Sequence, residues 1–194
     1  MARKTQISRK IILDTAFRML VRDGYGAINI TALAREIGCS TQPIAWHFGN
    51  MDGLRNALLL HCLDHLRDHF TLDGDSTGPM LAEIQRRYID LAFDSPHLYK
   101  YLYMTDQDFL KTEELIKTLR FPNYEKVLHL LQQEYAVSEP IARRYLLDLQ
   151  LYVHGIASCT VSKIPFATKE ETLAMIHDAN EAFLAKMIKA ARMG

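Results

Sequence analysis

The sequence predicts an all-α protein with a small N-terminal helical domain and a larger C-terminal helical core. Apolar residues recur at the helical spacing i, i+3 and i+4 through nearly every segment of the 194 residues. Stretches in which apolar and polar residues alternate between hairpin turns, the pattern of strands, are missing. Because 48% of the residues are hydrophobic and only 9 Gly and 6 Pro interrupt the chain, a core of ordinary size can form.

The first two predicted helices are short and end at glycines. Helix one begins near Ser8 and stops at Gly24. Its apolar stripe follows the i, i+3, i+4 pattern, which predicts that one face is buried. Helix two follows Asn29, which can act as an N-cap, and is broken at Gly38.

A third, very short helix and a long fourth helix follow. Ser40 can cap the third helix, Thr41 to about Phe48, and Pro43 lies in its first turn, where a missing N–H does no harm. The fourth helix is expected from about Asp52 to Phe70. We therefore predict a first domain over residues 1–52 and a second over residues 53–194.

The second domain is predicted to be helical throughout. The polar, glycine-containing stretch Thr71–Pro79 is the clearest loop. Thr168 with Glu171 three residues later has the pattern of a capping box that opens the last helix. The helices expected after the loop are Met80–Phe93, His97–Met104, Thr112–Leu119, Asn123–Tyr135, Pro140–Val161 and Thr168–Arg192.

Composition and termini exclude several classes of protein. No stretch approaches ~18 consecutive apolar residues, and the charged N-terminus has no apolar signal-peptide core, so we expect a cytoplasmic protein without a membrane span. Cys39, Cys62 and Cys159 are scattered, which is typical of reduced thiols rather than of a disulfide framework or a metal clip.

The zero net charge of the chain hides an asymmetry. Residues 1–50 carry seven Lys or Arg and three Asp or Glu, whereas the remaining residues carry 16 and 20. Four of the seven cations lie in the first ten residues. A basic end of this kind indicates contact with a polyanion such as nucleic acid.

Residues 29–48 have the pattern of a helix-turn-helix, two short helices joined by a turn of about three residues that includes a glycine. In this motif the first helix braces the second, whose first turn enters the ~12 Å wide major groove of DNA. That turn is Ser40-Thr41-Gln42-Pro43, which offers small polar side chains and free backbone N–H groups. By helical spacing, Ile44 and Phe48 should point back into the domain.

The residue types of the third helix suit base edges and phosphates. Gln42 can make a paired hydrogen bond to adenine, and Thr41 can bond to several base edges. Pro43 or Ala45 can pack on a thymine methyl group. Beyond these, Trp46 and the adjacent His47 offer N–H donors to phosphates.

The segment around this helix-turn-helix resembles the DNA-binding domain of the TetR family of bacterial repressors. The matching runs are Asn29–Ser40, Thr41–Phe48 and Asn50–Leu54, and helix one resembles the opening helix of the family. The resemblance covers about residues 8–60; the rest matches in outline only. It implies a homodimer that binds a double-stranded DNA operator and is released by a small molecule, without a cofactor.

Two positions depart from the family pattern. The family usually has an aromatic residue at the position of Ala45 and Lys at the position of Met51, and both commonly touch phosphates. Since phosphate neutralisation supplies much of the affinity for DNA, we expect modest affinity and a shallow salt dependence. Phosphate contacts are then expected from Arg3, Lys4, Thr31, Trp46, His47 and backbone N–H groups.

The C-terminal region is rich in tyrosine, which needs a partner for its hydroxyl when it is buried. Aromatic residues at helical spacing are most often core, but this many suits a cavity with apolar walls and a few polar groups. The resemblance implies such a pocket, for which an apolar or aromatic small molecule is the expected ligand. The candidate ligand residues are His65, Tyr88, Tyr101, Tyr103, Met104, Tyr124, Tyr152 and His154.

His61, His65 and His69 stand at i, i+4 and i+8 on the fourth helix, a spacing that can bind a transition metal. The alternative is that they form the polar border of a packed helix. No metal site is predicted, and a metal-dependent enzyme would rest on this stripe alone. The chain has none of the common catalytic motifs, so no enzymatic activity is expected.

The last two helices are apolar over much of their circumference. Their faces need more cover than one small domain supplies, and a symmetric four-helix interface between two copies would provide it. Burial within the same chain is the alternative. The faces consist of Tyr145, Leu146, Leu149, Tyr152, Val153, Ile156 and Ala157 on one helix and Leu173, Ile176, Ala179, Phe183, Leu184, Met187 and Ile188 on the other.

The sequence therefore predicts a sequence-specific DNA-binding transcriptional regulator, a repressor released by a ligand. The alternative from another class is a helical adaptor that binds protein and has no role on DNA.

Overall fold

A computed structural model describes residues 7–105, 123–164 and 167–193 of the protein. Within these ranges the chain forms nine α-helices, one 3-10 turn at Tyr25–Ala27 and no strand, which confirms the predicted all-α class. None of these described helices is both long enough and apolar enough to cross a lipid bilayer. In chain order the helices are α1 Arg9–Asp23, α2 Ile30–Ile37, α3 Gln42–Phe48, α4 Met51–Phe70, α5 Thr77–Asp94, α6 Pro96–Tyr103, α7 Tyr124–Tyr135, α8 Glu139–Val161 and α9 Lys169–Ala191.

The described residues form two compact units. The first comprises residues 7–68 and 96–105, and therefore α1–α3, most of α4, and α6. The second comprises residues 69–95, 123–164 and 167–193, with the last two residues of α4 and all of α5, α7, α8 and α9. The predicted boundary after residue 52 separates a DNA-binding domain from a ligand-binding domain. This division by function stays a prediction.

In the first unit, α1 packs against α2, α3 and α6. The end of α1 lies close to α6: Gly24 has a φ of 84°, and a Cβ there would meet His97 Nδ1 at 3.0 Å. A side chain at this position would therefore be strained as well as crowded. The large aliphatic side chains that are fully buried in this unit include Ile12, Leu20, Leu33, Ile44, Leu54, Leu58 and Leu59.

In the second unit, α8 packs against α5, α7 and α9. The Tyr145 hydroxyl, which lies in this core, donates a hydrogen bond to the Asn180 side chain of α9. The Asn123 amide donates to the carbonyl oxygen of Phe70 at 2.7 Å and so satisfies a carbonyl at the end of α4 that lacks an intrahelical partner.

The apolar face of α8, which the sequence places at an interface between two copies, is covered within the single chain. The sequence assigned Tyr145, Leu149 and their neighbours to an interface between two copies, but helices of the same unit cover them. Tyr145, Leu146, Leu149, Val153, Ile156 and Ala157 are all buried in the single chain. A different part of α8 stays open, because Leu147 is 48% and Leu151 61% exposed.

Several predicted helix ends are confirmed by their caps. The Ser8 hydroxyl accepts from the N–H of Ile11, and the Asn29 side chain accepts from the N–H of Ala32. Thr168 and Glu171 form the predicted capping box, in which each side chain accepts from the backbone N–H of the other residue.

Two predicted starts are wrong. α5 begins at Thr77 instead of Met80, because Pro79 lies in its first turn, where N–H groups have no intrahelical acceptor. Thr77 finds a partner outside the helix, since its N–H donates to Glu134 at 2.8 Å. α3 begins at Gln42, and its N-cap is Thr41 rather than Ser40, without a side-chain capping bond. The helix expected at Thr112–Leu119 lies outside the described residues.

Candidate functional site

The turn between α2 and α3 depends on a glycine with a left-handed backbone conformation. Gly38 has a φ of 78° and a ψ of 35°, and its N–H donates to the carbonyl oxygens of Ala34 and Arg35. A residue with a Cβ is disfavoured in this conformation, so the glycine ends α2 at Ile37 and redirects the chain into α3. The short helix α3 therefore starts within a few residues of the end of its bracing helix.

α3 presents its leading edge to solvent. Ser40, Thr41, Gln42 and Ala45 are exposed, and Pro43 is half-buried. On the opposite side, Ile44 is fully buried and anchors the helix in the first unit. The predicted base-reading side chains are thus accessible. Of the two residues predicted to point inward, Ile44 is buried and Phe48 is half-buried.

Trp46 is the largest exposed side chain of α3. It is 72% exposed, and its ring meets the ring of His47 edge-on at 4.5 Å between centroids. An indole N–H on such an open ring can reach a partner outside the chain. Thr31 on α2 is also exposed, whereas Arg3 and Lys4 lie outside the described residues.

His47 has a partner within the chain. Its Nε2 lies 3.0 Å from the carbonyl oxygen of Ile7. Because a carbonyl oxygen only accepts hydrogen bonds, this contact places the ring proton on Nε2. The neutral ring then has no second N–H for a phosphate, so a phosphate contact by His47 requires the protonated ring.

The charges around α3 come from α1. The helix itself contains no Lys or Arg, but the guanidinium carbon of Arg9 lies 5.2 Å from the centroid of the Phe48 ring. Sequence reasoning missed this pairing, because the two residues are 39 positions apart. The available signal was the position of Arg9 at the start of α1 beside the basic N-terminus.

Two other cations of α1, Arg22 and Lys10, are paired with carboxylates. Arg22 bonds to Glu36 at 2.9 Å and to Asp23, and both carboxylates hold its pKa above the ordinary value. Arg22 in turn lowers the pKa of Asp23 and of Glu36 through hydrogen bonds to them. Lys10 contacts Asp14 at 2.6 Å. These pairs leave less free charge than the sequence count implies.

Four of the predicted ligand residues belong to the first unit, and three of them have ring contacts with other side chains of that unit. Tyr101 is 1% exposed and donates a hydrogen bond to the carbonyl oxygen of Arg55 at 3.1 Å, and burial raises the pKa of its hydroxyl. Its ring stacks on Tyr25. Tyr103 lies against Tyr99, His65 is exposed beside Phe17, and Met104 is 47% exposed.

The other four belong to the second unit, and two of them meet. The Tyr88 hydroxyl lies 2.7 Å from Nδ1 of His154, and burial lowers the pKa of that imidazole, which favours its neutral form. The ring of Phe70 lies 6.3 Å from that of Tyr88. Tyr124 carries the Arg143 guanidinium over its ring, and Tyr152 meets Phe183 edge-on.

A pocket of about 160 Å³ lies where the chain enters α5. Its lining residues fall between Leu72 and Glu83 and include loop carboxylates. None of the predicted ligand residues lines it, so it does not coincide with the expected site.

The histidine stripe of α4 has protein partners. His61 Nε2 lies 3.3 Å from Asp14, and Phe17 contacts the rings of both His61 and His65. The ring of His69 meets Phe70 edge-on. In the described portion of the chain, no three His, Cys, Asp or Glu side chains come together as a metal site. These contacts favour the border of a packed helix.

Residues 12–58 match the family described as "Bacterial regulatory proteins, tetR family". That range runs from α1 into α4 and contains the turn and exposed edge described above.

Relatives extend the likeness beyond this range. The chain is 23% identical over 193 residues to the "Uncharacterized HTH-type transcriptional regulator YobS" of Bacillus subtilis (strain 168), which covers 97% of this chain and 96% of the relative. It is 22% identical over 143 residues to the "HTH-type transcriptional regulator BetI" of Burkholderia cenocepacia (strain HI2424), covering 71% of this chain and 73% of the relative.

Solved structures share the fold. A TetR variant from Acinetobacter baumannii AYE in complex with minocycline superposes with a TM-score of 0.64 at 16% identity, over 95% of this chain and 98% of that one. A putative TetR-family transcriptional regulator from Rhodococcus sp. gives a TM-score of 0.66 at 17% identity, over 91% and 98%.

Proposed function

The chain belongs to the TetR family of bacterial regulatory proteins, and from this premise we propose that it is a repressor that binds a DNA operator as a homodimer and leaves it when a small molecule binds. As a member of this family it is a DNA-binding transcription regulator and not an enzyme. We further propose that it acts in the cytoplasm, where its DNA target lies.

The observation that carries the proposal is the orientation of α3. Thr41 and Gln42 are open to solvent on one side of this helix, while Ile44 is fully buried on the other. A helix held in this way can place its first turn in a major groove without losing its own packing. In the proposed dimer, two such helices occupy successive major grooves about 34–36 Å apart.

A small apolar or aromatic molecule is the proposed ligand. The Tyr88–His154 pair in the second unit supports this, because it offers hydrogen-bonding groups beside the ring of Phe70. The solved neighbour from Acinetobacter baumannii was crystallised with minocycline, a ligand of that protein.

We propose that α4 couples ligand binding to release of the DNA. It begins three residues after α3 and its last two residues belong to the second unit. A ligand that binds one position of α4 more tightly than another would change the spacing of the two recognition helices; with equal affinity for both positions, it would change nothing. A crosslink that fixes the two recognition helices at groove spacing should therefore abolish release, and release from the crosslinked dimer would refute this route.

The decisive experiment for DNA binding is a mobility shift with the DNA that flanks the gene for this protein. We expect a shifted complex. A scrambled duplex of the same length and composition, added as competitor, should displace the flanking DNA poorly. Selection of sites from a random-sequence pool should then return a pseudo-palindrome. If neither the flanking DNA nor the random pool is bound above the scrambled duplex, the protein-binding adaptor becomes the better interpretation.

A further inference from the structure

The candidate DNA interface lacks the positive charge that such a surface normally supplies. α3 contains no Lys or Arg, and the first turn of α4, Met51–Leu54, contains none either. The nearby charges of Arg22 and Lys10 are matched by carboxylates at 2.9 and 2.6 Å. A basic phosphate partner for this interface therefore lies outside α3 and the first turn of α4.

Arg9 has the position and the charge for this contact. It is the first residue of α1 and is exposed, and its guanidinium carbon lies 5.2 Å from the centroid of Phe48 at the end of α3. Among the residues that the structure describes, no carboxylate lies within ion-pair distance of Arg9. Its charge is thus uncompensated in the described part of the chain and lies directly beside the recognition helix.

A second contact holds the start of α1 against α3. His47 donates from Nε2 to the carbonyl oxygen of Ile7 at 3.0 Å, two residues before Arg9. Two adjacent residues of α3, His47 and Phe48, therefore contact the segment that carries the guanidinium. An arginine that rests one face on an aromatic ring keeps its edge N–H groups free for a planar oxygen pair.

We propose that Arg9 binds a phosphate of the DNA backbone and supplies the charge that α3 lacks. This proposal rests on the function proposed above, but it assigns a contact to a residue outside the helix-turn-helix. The guanidinium suits this role because its N–H groups match two phosphate oxygens at once. The contact adds affinity for DNA of any sequence and no preference among bases.

The test compares Arg9→Gln with Lys10→Gln. Both substitutions remove one positive charge from adjacent exposed positions, but the Lys10 ammonium is already paired with Asp14. Binding is measured over a range of salt concentrations on a duplex that the wild-type protein has selected from a random pool, and on its scrambled counterpart. We expect Arg9→Gln to weaken binding to both duplexes about 3- to 30-fold when two protomers bind. The slope of log K against log salt should fall by about 1 per protomer, while Lys10→Gln changes both quantities less.

Arg9→Lys separates the charge from its geometry. It keeps the cation but loses the planar fork, so we expect intermediate affinity with a salt slope close to that of the wild type. Equal effects of Arg9→Gln and Lys10→Gln, or an unchanged slope in Arg9→Gln, would overturn the proposal while leaving operator binding intact. Absence of any binding by the wild-type protein would instead refute the proposed function.

Discussion

At the scale of single residues, neighbouring positions of α3 differ in burial and in expected role. Ile44 is fully buried, whereas Trp46 is 72% exposed two positions later. Ile44→Ala should lower the free energy of unfolding by about 2–5 kcal/mol, because it removes buried methyl groups and leaves a cavity. Chemical denaturation followed by circular dichroism measures this loss.

Trp46→Ala provides the contrast at an exposed position. We expect its free energy of unfolding to stay within about 0.5 kcal/mol of the wild type. Its affinity for operator DNA should fall, because the open indole N–H is lost. A large loss of stability in Trp46→Ala, with unchanged DNA binding, would show that the indole serves packing alone.

Gln42 is the residue for which sequence preference can be tested most directly. Gln42→Ala should cost about 1–3 kcal/mol on the selected site and relax the preference at one base pair, because only the base contact is lost. The salt slope should stay unchanged, which distinguishes a base contact from a phosphate contact. Binding curves on the selected site and on the three variants that carry another base pair at that position decide the matter.

The sequence predicted most of these residues by type and spacing, but not their partners. Ser40, Thr41, Gln42, Ala45 and Trp46 were assigned from the motif and are exposed, and Ile44 between them is buried as the helical spacing predicts. The Ile7 partner of His47 and the Phe48 partner of Arg9 were missed. Contacts across about 40 residues depend on how α1 lies against α3, and no local pattern encodes that arrangement.

At the scale of elements, helix ends were predicted well where a side chain makes the cap. Thr168 caps α9 with a hydroxyl bond, whereas Ser138 precedes α8 without one. We expect Thr168→Ala to destabilise the protein by about 0.5–2 kcal/mol and Ser138→Ala to have a clearly smaller effect. Thermal and chemical unfolding of the two variants test the difference, and equal losses would mean that the box adds nothing.

A charged cluster on α5 predicts how stability changes in acid. Hydrogen bonds from Arg86 and Arg87 lower the pKa of Glu83 to about 2, from an ordinary value near 4.5. Because the folded-state pKa is the lower one, the stabilisation is complete above about pH 4.5 and is lost as pH falls from 4.5 toward 2.

Glu83→Gln removes that titration. Its free energy of unfolding should decline less steeply than that of the wild type between pH 4.5 and 2, as measured by denaturant unfolding at several pH values. Glu170→Gln, which removes an exposed carboxylate of α9, is the control. If the wild type and Glu83→Gln decline in parallel, the two arginines do not hold the proton off Glu83.

Element starts that depend on distant groups were predicted less well. The sequence pattern places Pro79 in a loop, but its missing N–H is harmless in the first turn of a helix. The N–H of Thr77 is satisfied by Glu134, 57 positions away, and this partner allows α5 to begin early.

At the scale of the whole molecule, the exposed part of α8 is the proposed interface between two copies. Leu147 and Leu151 are one helical turn apart and stay 48% and 61% exposed. In a symmetric pair, each of these leucines would be removed from water in both copies of the chain. The double variant Leu147→Glu and Leu151→Glu should raise the dimer dissociation constant about 10- to 100-fold, as measured by analytical ultracentrifugation.

Leu60→Glu is the matched control for the interface. Leu60 is a 56% exposed leucine on α4, so the substitution has the same chemistry at another site. It should leave the dissociation constant unchanged. If both leucine substitutions act alike, or if the α8 variant still dimerises as the wild type does, another surface joins the two copies.

The sequence alone determined the helical class and the helix-turn-helix and gave the candidate side chains for reading bases, because these depend on local periodicity, on caps and on a glycine with a left-handed backbone conformation. Tertiary structure alone decided which apolar faces are covered, which cations carry free charge and which rings have partners. Long-range packing brings together residues that are distant in sequence. The side chains of α8 show this, since neighbours on one helix end up either in the core or open to solvent.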